Sequence, residues 1–219
     1  SAVTLGDSTF SLGEGNDTFD INTANSTGFG YVSATIKGGA GEDSLNIGAA
    51  AGDVSNVFLA AGEGDDTVSA DLIALGATAS AVTIMGGESA DTIRVASDDD
   101  VIGAYIGGGK HADTIVYTGG TLSDSTLIGG FGEDTVSAGM TVDSSLIQLG
   151  NGDNSETDSA DTFNYSGVIA NSTVKGGAGG DTISIQLGDN STATIIEGNL
   201  GNDTISISAA ADADFESTE

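Results

Sequence analysis

Several residue types are rare or missing in this sequence, and each absence excludes a class of protein. The 219-residue chain has no Cys, which excludes disulfides and cysteine-ligated zinc sites. It has no Pro, and its 35 Gly follow no three-residue period, so it is not a collagen. Only four Lys or Arg accompany 33 Asp or Glu, and the net charge of -29 argues against nucleic acid as a partner. No run of about 20 apolar residues could form a transmembrane helix.

The remaining composition indicates a chain that folds in spite of its charge. Hydrophobic residues make up 38% of the sequence, and many are Ile, Val, Leu and Phe in short alternating runs, unlike a disordered chain. The length suits one domain or one array of repeats, and we predict a single domain over residues 1–219. Because so many like charges repel one another, something must offset them before the chain can become compact.

One unit of about 23 residues recurs nine times along the chain. Each copy contains one pivotal acid: Asp17, Asp43, Asp66, Asp91, Asp113, Asp134, Asp161, Asp181 and Asp203. The next residue is Thr in eight copies and Ser44 in the other. The second and fourth residues after the acid are apolar or aromatic in every copy, with a mostly polar residue between them. This period of two predicts a strand with one buried face.

A second strand is predicted before each Gly-rich turn. Its marker is an apolar residue seven positions before the acid, such as Ile36 or Leu127, and Ile147 fills this place in the copy that carries an insertion. Asp-Ser-Thr or Asn-Ser-Thr precedes the marker in three copies and predicts a turn there. Stacked units would make the apolar columns continuous. We therefore predict an all-β parallel β-solenoid of about nine coils, with two main strands per coil and a rise of about 4.8 Å.

This stacking would place nine carboxylates in one file along one edge. Two charges about 4.8 Å apart repel by roughly 3 to 4 kcal/mol at an effective dielectric constant of about 20. Over eight steps the repulsion rivals the stability of a whole domain, so we expect cations between the coils. Carboxylates and backbone carbonyls are hard oxygen ligands, which favours Ca²⁺ over Zn²⁺. Diffuse neutralisation by sodium is the alternative.

The Gly-rich turns resemble a known repeat. Residues 38–43, 129–136 and 176–183 are similar to the GGxGxDxUx nonapeptide of the RTX (repeats-in-toxin, hemolysin-type) calcium-binding family. The resemblance implies that multiple Ca²⁺ ions lie between stacked turns, held by the Asp side chains and by backbone carbonyls. The candidate metal-binding residues are then Asp17, Asp43, Asp66, Asp91, Asp134, Asp161, Asp181 and Asp203, with Gly13, Gly15, Gly39, Gly41, Gly62, Gly64, Gly87, Gly130, Gly132, Gly177, Gly179 and Gly201.

Some copies depart from the repeat of this family. Ser89 replaces the third Gly before Asp91. Lys110 and His111 place a cation and an imidazole before Asp113, so Asp113 is not counted among the predicted ligands. An acidic insert at residues 153–158 is interpreted as a solvated loop, with an extra ion site as the alternative. Because the motif occurs once per coil, we expect metal on one edge only.

The sequence offers no catalytic constellation. His111 is the only imidazole, and nothing pairs it with a nucleophile and an orienting acid, so we do not expect an enzyme. We predict a secreted, calcium-stabilised structural protein of the extracellular space or cell surface. It would be a homo-oligomeric surface-layer, sheath or filament subunit that polymerises head-to-tail through open solenoid ends. Cyanobacterial surface-layer and oscillin-like fibre proteins are similar in their RTX-like repeats.

Two alternative functions follow from the same resemblance. One is a calcium-folded RTX module of a larger enzyme that leaves the cell by type I secretion. The other is a surface adhesin segment that binds cell-surface polysaccharide or ice. In both alternatives the calcium-bound turns would still stabilise the solenoid.

Overall fold

The chain folds into stacked parallel strands. The computed structural model describes residues 3–21, 29–48, 53–72, 79–151 and 158–209. Strands and turns account for the regular structure in these ranges, and each strand pairs in parallel with its equivalents one coil away. None of these residues forms a helix that is long and apolar enough to cross a membrane. The predicted parallel β-solenoid is confirmed.

Sheet 1 contains one strand from each of nine coils, which we number 1 to 9. Its strands are β2 (Thr9–Glu14), β5 (Thr35–Ala40), β8 (Phe58–Glu63), β11 (Thr83–Glu88), β14 (Tyr105–Lys110), β17 (Thr126–Phe131), β19 (Leu146–Gly150), β21 (Thr173–Ala178) and β23 (Ile195–Leu200). The predicted apolar column is in register, with Leu59 aligned to Ile36 on one side and to Ile84 on the other. These three side chains are fully buried, as the period of two requires.

Sheet 2 contains the strands that follow the pivotal acids. They are β3 (Thr18–Ile21), β6 (Ser44–Ile47), β9 (Thr67–Asp71), β12 (Thr92–Ser97), β15 (Thr114–Gly119), β18 (Thr135–Asp143), β20 (Thr162–Ala170), β22 (Thr182–Leu187) and β24 (Thr204–Ala209). The core lies between the two sheets and is a single cluster of aliphatic and aromatic side chains. Phe10 and Phe19 belong to its first coil, with ring centroids 5.1 Å apart.

A third, shorter column of strands joins sheet 2, in addition to the two main strands predicted per coil. It contains β1 (Val3–Gly6), β4 (Phe29–Val32), β7 (Val54–Ser55), β10 (Ala79–Ser80), β13 (Val101–Ile102) and β16 (Thr121–Ser123), and it continues in the second halves of β18 and β20. The chain turns from this column into sheet 1 through one residue of positive φ per coil. These residues are Asp7, Ser33, Asn56, Ala81, Gly103, Asp124, Ser144, Asn171 and Ala193.

A ladder of buried serines follows this turn in the later coils. The amide of Ala104 donates to Oγ of Ser125 at 2.9 Å, the amide of Ser125 to Oγ of Ser145 at 3.1 Å, and the amide of Ser145 to Oγ of Ser172 at 3.1 Å. Each hydroxyl in turn donates to a carbonyl two residues before it. The serines are therefore satisfied inside the protein, as buried polar groups must be.

Candidate calcium-binding edge

The pivotal acids form one continuous ladder along the edge where sheet 1 turns into sheet 2. The backbone amide of each Asp donates a hydrogen bond to Oδ1 of the Asp in the next coil. The eight bonds, from the amide of Asp17 to the carboxylate of Asp203, measure 2.7 to 3.0 Å. The carboxylates point into the turn, and those of Asp43 to Asp181 are at most 3% exposed.

The second carboxylate oxygen of each ladder residue has no partner within the protein. Oδ2 is buried and accepts no hydrogen bond in Asp17, Asp43, Asp66, Asp91, Asp113, Asp134, Asp161 and Asp181. Leaving one buried polar atom unsatisfied costs about 1 to 3 kcal/mol, and more for a charged group. Eight such costs are comparable to the typical net stability of a domain, about 5 to 15 kcal/mol. These costs fall when Oδ2 either takes up a proton or binds a cation.

In most turns a Gly lies close beside this oxygen, whereas Leu12, Ala61 and Leu149 occupy the same position in coils 1, 3 and 7. A Cβ atom on Gly176 would lie 2.3 Å from Oδ2 of Asp181 and 2.6 Å from the carbonyl oxygen of Gly198 in the next coil. Gly38, Gly86, Gly108 and Gly129 have the same two kinds of neighbour, a carboxylate oxygen of their own coil and a carbonyl oxygen of the next. One carboxylate and one carbonyl thus converge on the same point in five coils.

The predicted glycines adopt the backbone conformation that the turn needs. All twelve have φ between 112° and 133°, where an L-residue is strained. They are also too close to the neighbouring coil for a side chain, since a Cβ atom on Gly39 would lie 1.9 Å from the carbonyl oxygen of Gly13. Whether these carbonyls bind metal stays a prediction, but their stacking in one file is a feature of the structure.

Five of the ladder carboxyls are hard to ionise in the absence of a cation. Burial is the largest cause, and it raises the pKa to about 7 for Asp91 and Asp134, to about 8 for Asp113 and Asp161, and to about 6 for Asp181. The backbone hydrogen bond between neighbouring ladder residues opposes this effect, and the charge of neighbouring acids adds to it. A cation beside Oδ2 would favour the ionised form.

The donor set fits calcium. Within the described ranges, no three His, Cys, Asp or Glu side chains converge on one point, so backbone carbonyls must supply most of the ligands. Ca²⁺ accepts six to eight oxygen ligands in flexible geometry, and carbonyls serve it as well as carboxylates do. When bound, the ion would supply the positive charge that eight stacked carboxylates lack. The residues that would hold it are the ladder Asp together with carbonyls of the Gly-rich turns.

The structure assembles every predicted Asp and also adds a residue that the sequence analysis left out. Asp113 donates to Asp134 and accepts from Asp91 at 2.8 Å each, as its equivalents do. The Lys110 ammonium binds the Glu88 carboxylate of the preceding coil rather than Asp113. The His111 imidazole accepts a 3.2 Å hydrogen bond at Nδ1 from the Ser89 amide. Neither side chain satisfies Oδ2 of Asp113, so Asp113 has the same place in the ladder as its equivalents. Whether it binds metal, which the sequence analysis did not expect, stays a prediction.

The first Gly of each Gly pair was also missed as a site residue. The sequence analysis selected the glycines that need positive φ, whereas Gly38, Gly86 and Gly176 matter because they leave room beside the carboxylate. The signal was present in the Gly-Gly pairs at residues 38–39, 86–87 and 176–177. A pair implies that two adjacent positions exclude a side chain for two different reasons.

The acidic insert is closed by Asp158, and residues 152–157 lie outside the described part of the chain. In four other coils the fourth residue of the turn donates to a carbonyl in the next coil, as Gly41 does to Glu63 at 2.8 Å. Here the amide of Gly132 donates instead to Oδ1 of Asp158 at 3.3 Å. The amide of Asn151 donates to Oδ2 of the same carboxylate at 3.1 Å. A side chain therefore replaces a backbone carbonyl at this step.

Comparison with known proteins agrees with this geometry. A family model described as the RTX calcium-binding nonapeptide repeat matches four copies in residues 50–72, 77–104 and 107–143. These stretches carry RTX calcium-binding nonapeptide repeats. They include Asp66, Asp91, Asp113 and Asp134 of the ladder. The similar turns that begin at Gly38 and Gly176 lie outside the matched stretches but have the same hydrogen bonds. No curated protein and no solved structure matches the chain.

Proposed function

We propose that this chain is a calcium-stabilised structural protein of the cell exterior. RTX repeats are calcium-binding and typical of secreted proteins, and they fit an extracellular protein that calcium stabilises. The observation that carries the proposal is the file of eight buried Oδ2 atoms without a partner. One Ca²⁺ between each pair of neighbouring coils would bind them, and the millimolar calcium outside cells is sufficient for weak sites.

In this proposal the ions are part of the fold and have no catalytic role. The carboxylates of the ladder are accounted for by the repeat, so none needs a role as general acid or base. A chain of this charge would stay expanded at low calcium because its acids repel one another. Calcium binding would then be coupled to folding, as for other structural metal sites.

Circular dichroism with and without calcium tests this proposal. The chain should have a coil spectrum in chelator near neutral pH and a β spectrum in millimolar calcium. Magnesium at the same concentration is the control, and it should be less effective because it prefers fewer protein ligands. Isothermal titration calorimetry should show several calcium ions per chain. A β spectrum that is the same in chelator and in calcium would contradict the proposal.

The finer role, a filament or surface-lattice subunit, rests on the last described coil. Ile205 and Ile207 are 43% and 51% exposed there, although their equivalents in coils 2 to 8 are buried. Phe10, Leu12, Phe19 and Ile21 in coil 1 are only partly buried. Coil 9 of one copy would stack on coil 1 of the next and extend both sheets. Binding of cell-surface polysaccharide stays a prediction.

Electron microscopy of the 219-residue chain in calcium and in chelator tests this stacking. Long filaments are expected in calcium, and Ile207→Glu should shorten them because it places a charge in the stacking surface. Ser206→Glu is the matched control, since Ser206 lies on the same strand and also adds one charge. Short monodisperse rods under both conditions would contradict the stacking and favour a module of a larger secreted protein.

A further inference from the structure

The outer surface of sheet 1 carries almost no acid along the first three residues of each strand, whereas Glu14, Glu63 and Glu88 are exposed at the ends of theirs. Face 1 consists of two outward residues from each of the nine strands. It extends from Thr9 and Ser11 in β2 to Ile195 and Glu197 in β23. Its charged members are Lys37, Lys175 and Glu197, of which Lys175 and Glu197 form an ion pair at 3.7 Å within the chain. Face 1 therefore has a net charge of about +1 by this count, on a chain whose net charge is -29.

The middle of face 1 is apolar. Phe58, Met85, Tyr105, Ile128 and Leu146 lie in five successive coils and point outward. The Tyr105 ring lies against the sheet over Gly107, where a Cβ atom would be 3.2 Å from ring atom Cε1. Met85 and Tyr105 remain 39% and 38% exposed. An apolar centre with few charges is typical of a surface that another protein covers.

We propose that face 1 pairs with face 1 of a second copy, with the two solenoids antiparallel. The two-fold axis would run along the strand direction, between coils 5 and 6, so that coil 2 faces coil 9 and coil 5 faces coil 6. Lys37 then lies opposite Glu197 of the second copy, in the same position along the strand. The Tyr105 ring lies opposite Ile128, and the coil that contains Met85 lies opposite the coil that contains Leu146.

The charges favour this register over its neighbours. An axis moved by half a coil, to coil 5, would place coil 2 opposite coil 8 and bring Lys37 against Lys175. A parallel arrangement would bring each charge against its own copy. Like charges in contact across an interface are unfavourable, so specificity in this face comes from three charged residues. Pairing of the Asp edges, by contrast, would bring two files of carboxylates together.

Cross-linking in calcium tests the register, because the native chain has no Cys. All proteins carry Ile207→Glu, which keeps head-to-tail stacking from contributing. Lys37→Cys and Glu197→Cys proteins should form a disulfide-linked dimer when mixed under mild oxidation. Either protein alone should cross-link at least about tenfold less. Ser184→Cys, on the outer surface of sheet 2, is the control and should not cross-link with either partner. Equal cross-linking of Lys37→Cys with itself would overturn the register.

Sedimentation equilibrium tests the face itself. Tyr105→Glu should weaken the dimer at least about tenfold, because it places a charge at the centre of a contact. Val116→Glu adds the same charge on the outer surface of sheet 2 and should leave the dimer constant unchanged. An equal effect of both variants would overturn the proposal. A wild-type chain that stays monomeric would also overturn the proposal. This includes a monomeric chain whose face 1 binds a polysaccharide.

The pairing rests on the proposed calcium-folded solenoid, and circular dichroism of the same samples separates the two failures. A β spectrum in calcium together with a monomer refutes the pairing and leaves the proposed function standing. A coil spectrum in calcium refutes the proposed function itself.

Discussion

The amide of Asp161 donates a 2.9 Å hydrogen bond to Oδ1 of Asp181, and Oδ2 of Asp181 is left buried without a partner. One carboxylate thus performs two tasks in each coil. Its first oxygen holds the neighbouring coil in register, and its second oxygen is available to a cation. Because one side chain both aligns the coils and carries the charge, the solenoid is expected to fold when the ions bind and to unfold when they dissociate.

Substitution of Asp181 by Asn should have opposite effects with and without calcium. In calcium we expect a loss of about 1 to 3 kcal/mol of unfolding free energy, since one charged ligand is removed. In chelator the variant should keep a β spectrum to a higher pH than the wild type, because Asn carries no buried charge. Urea titration in calcium measures the first effect, and circular dichroism during a pH titration in chelator measures the second.

Asp189→Asn is the matched control for this change of sign. Asp189 lies in an exposed turn of the same coil, so its substitution should change the result of either titration little. If Asp181→Asn destabilises the chain equally with and without calcium, Asp181 serves the fold through Oδ1 alone.

Gly176→Ala should impair calcium binding through the space beside the carboxylate. The added Cβ would lie 2.3 Å from Oδ2 of Asp181 and 2.6 Å from the carbonyl oxygen of Gly198. Overpacking of this kind costs about 1 to 3 kcal/mol, and here it also displaces two candidate ligands. More calcium should be needed to reach half of the β signal.

Gly180→Ala controls for the loss of a glycine in the same turn. A Cβ on Gly180 would approach only the carbonyl oxygen of Asn202, at 3.3 Å, so the calcium midpoint should move much less. Equal shifts for both alanine variants would mean that the turn simply tolerates no alanine.

In chelator, acid should stabilise the solenoid. Burial raises the pKa of Asp91 and Asp134 to about 7 and that of Asp113 and Asp161 to about 8, well above the usual carboxyl value of about 4. The folded chain therefore binds more protons than the unfolded chain between about pH 4 and pH 8. Stability then falls as the pH rises through this window and returns on acidification.

The urea midpoint measured from about pH 5 to about pH 8 checks this trend. In chelator it should be highest at the acidic end. In calcium the trend should reverse, because protons compete with the ion for the same carboxylates. A midpoint in chelator that rises with pH would show that the ladder carboxyls are ionised in the folded chain.

Ser89→Gly should stabilise the chain by about 1 kcal/mol. Ser89 has φ of 80° in a column where most other coils have Gly, and an L-residue is strained in this region. Ala90→Gly, one residue further, is the control and should be neutral or destabilising, because Ala90 lacks positive φ. Thermal unfolding in calcium measures both, and a lower melting temperature for Ser89→Gly would show that its side chain contributes more than its backbone strain costs.

Much of the fold could be predicted because the same sequence pattern recurs in nine coils. From coil 2 to coil 8, the columns that contain Ile36 and Leu45 are fully buried at the positions where a period of two placed them. The short third strand was not predicted, since a pair such as Val54–Ser55 is too brief to show a period. The turn before sheet 1 was visible only where Asp or Asn occupies it, and Ala81 adopts the same positive φ without any sequence signal.

The site was predicted less completely than the fold. The sequence could indicate which acids share a column, but it could not show that Oδ1 and Oδ2 have different surroundings. Asp113 was left out because Lys110 and His111 precede it, and only the structure shows that Lys110 reaches Glu88 instead. The sequence also could not reveal face 1, since its residues come from nine separate strands and are united only by stacking.

The carboxylate of Asp158 has a practical consequence for the array. Because a side chain can take over the hydrogen bond of a missing carbonyl, six extra residues between Asn151 and Asp158 leave the alignment of β17, β19 and β21 intact. The number of residues in this turn therefore does not change the spacing between neighbouring coils. Peptides of other lengths could be inserted between these two residues, so this turn offers an attachment point for foreign epitopes.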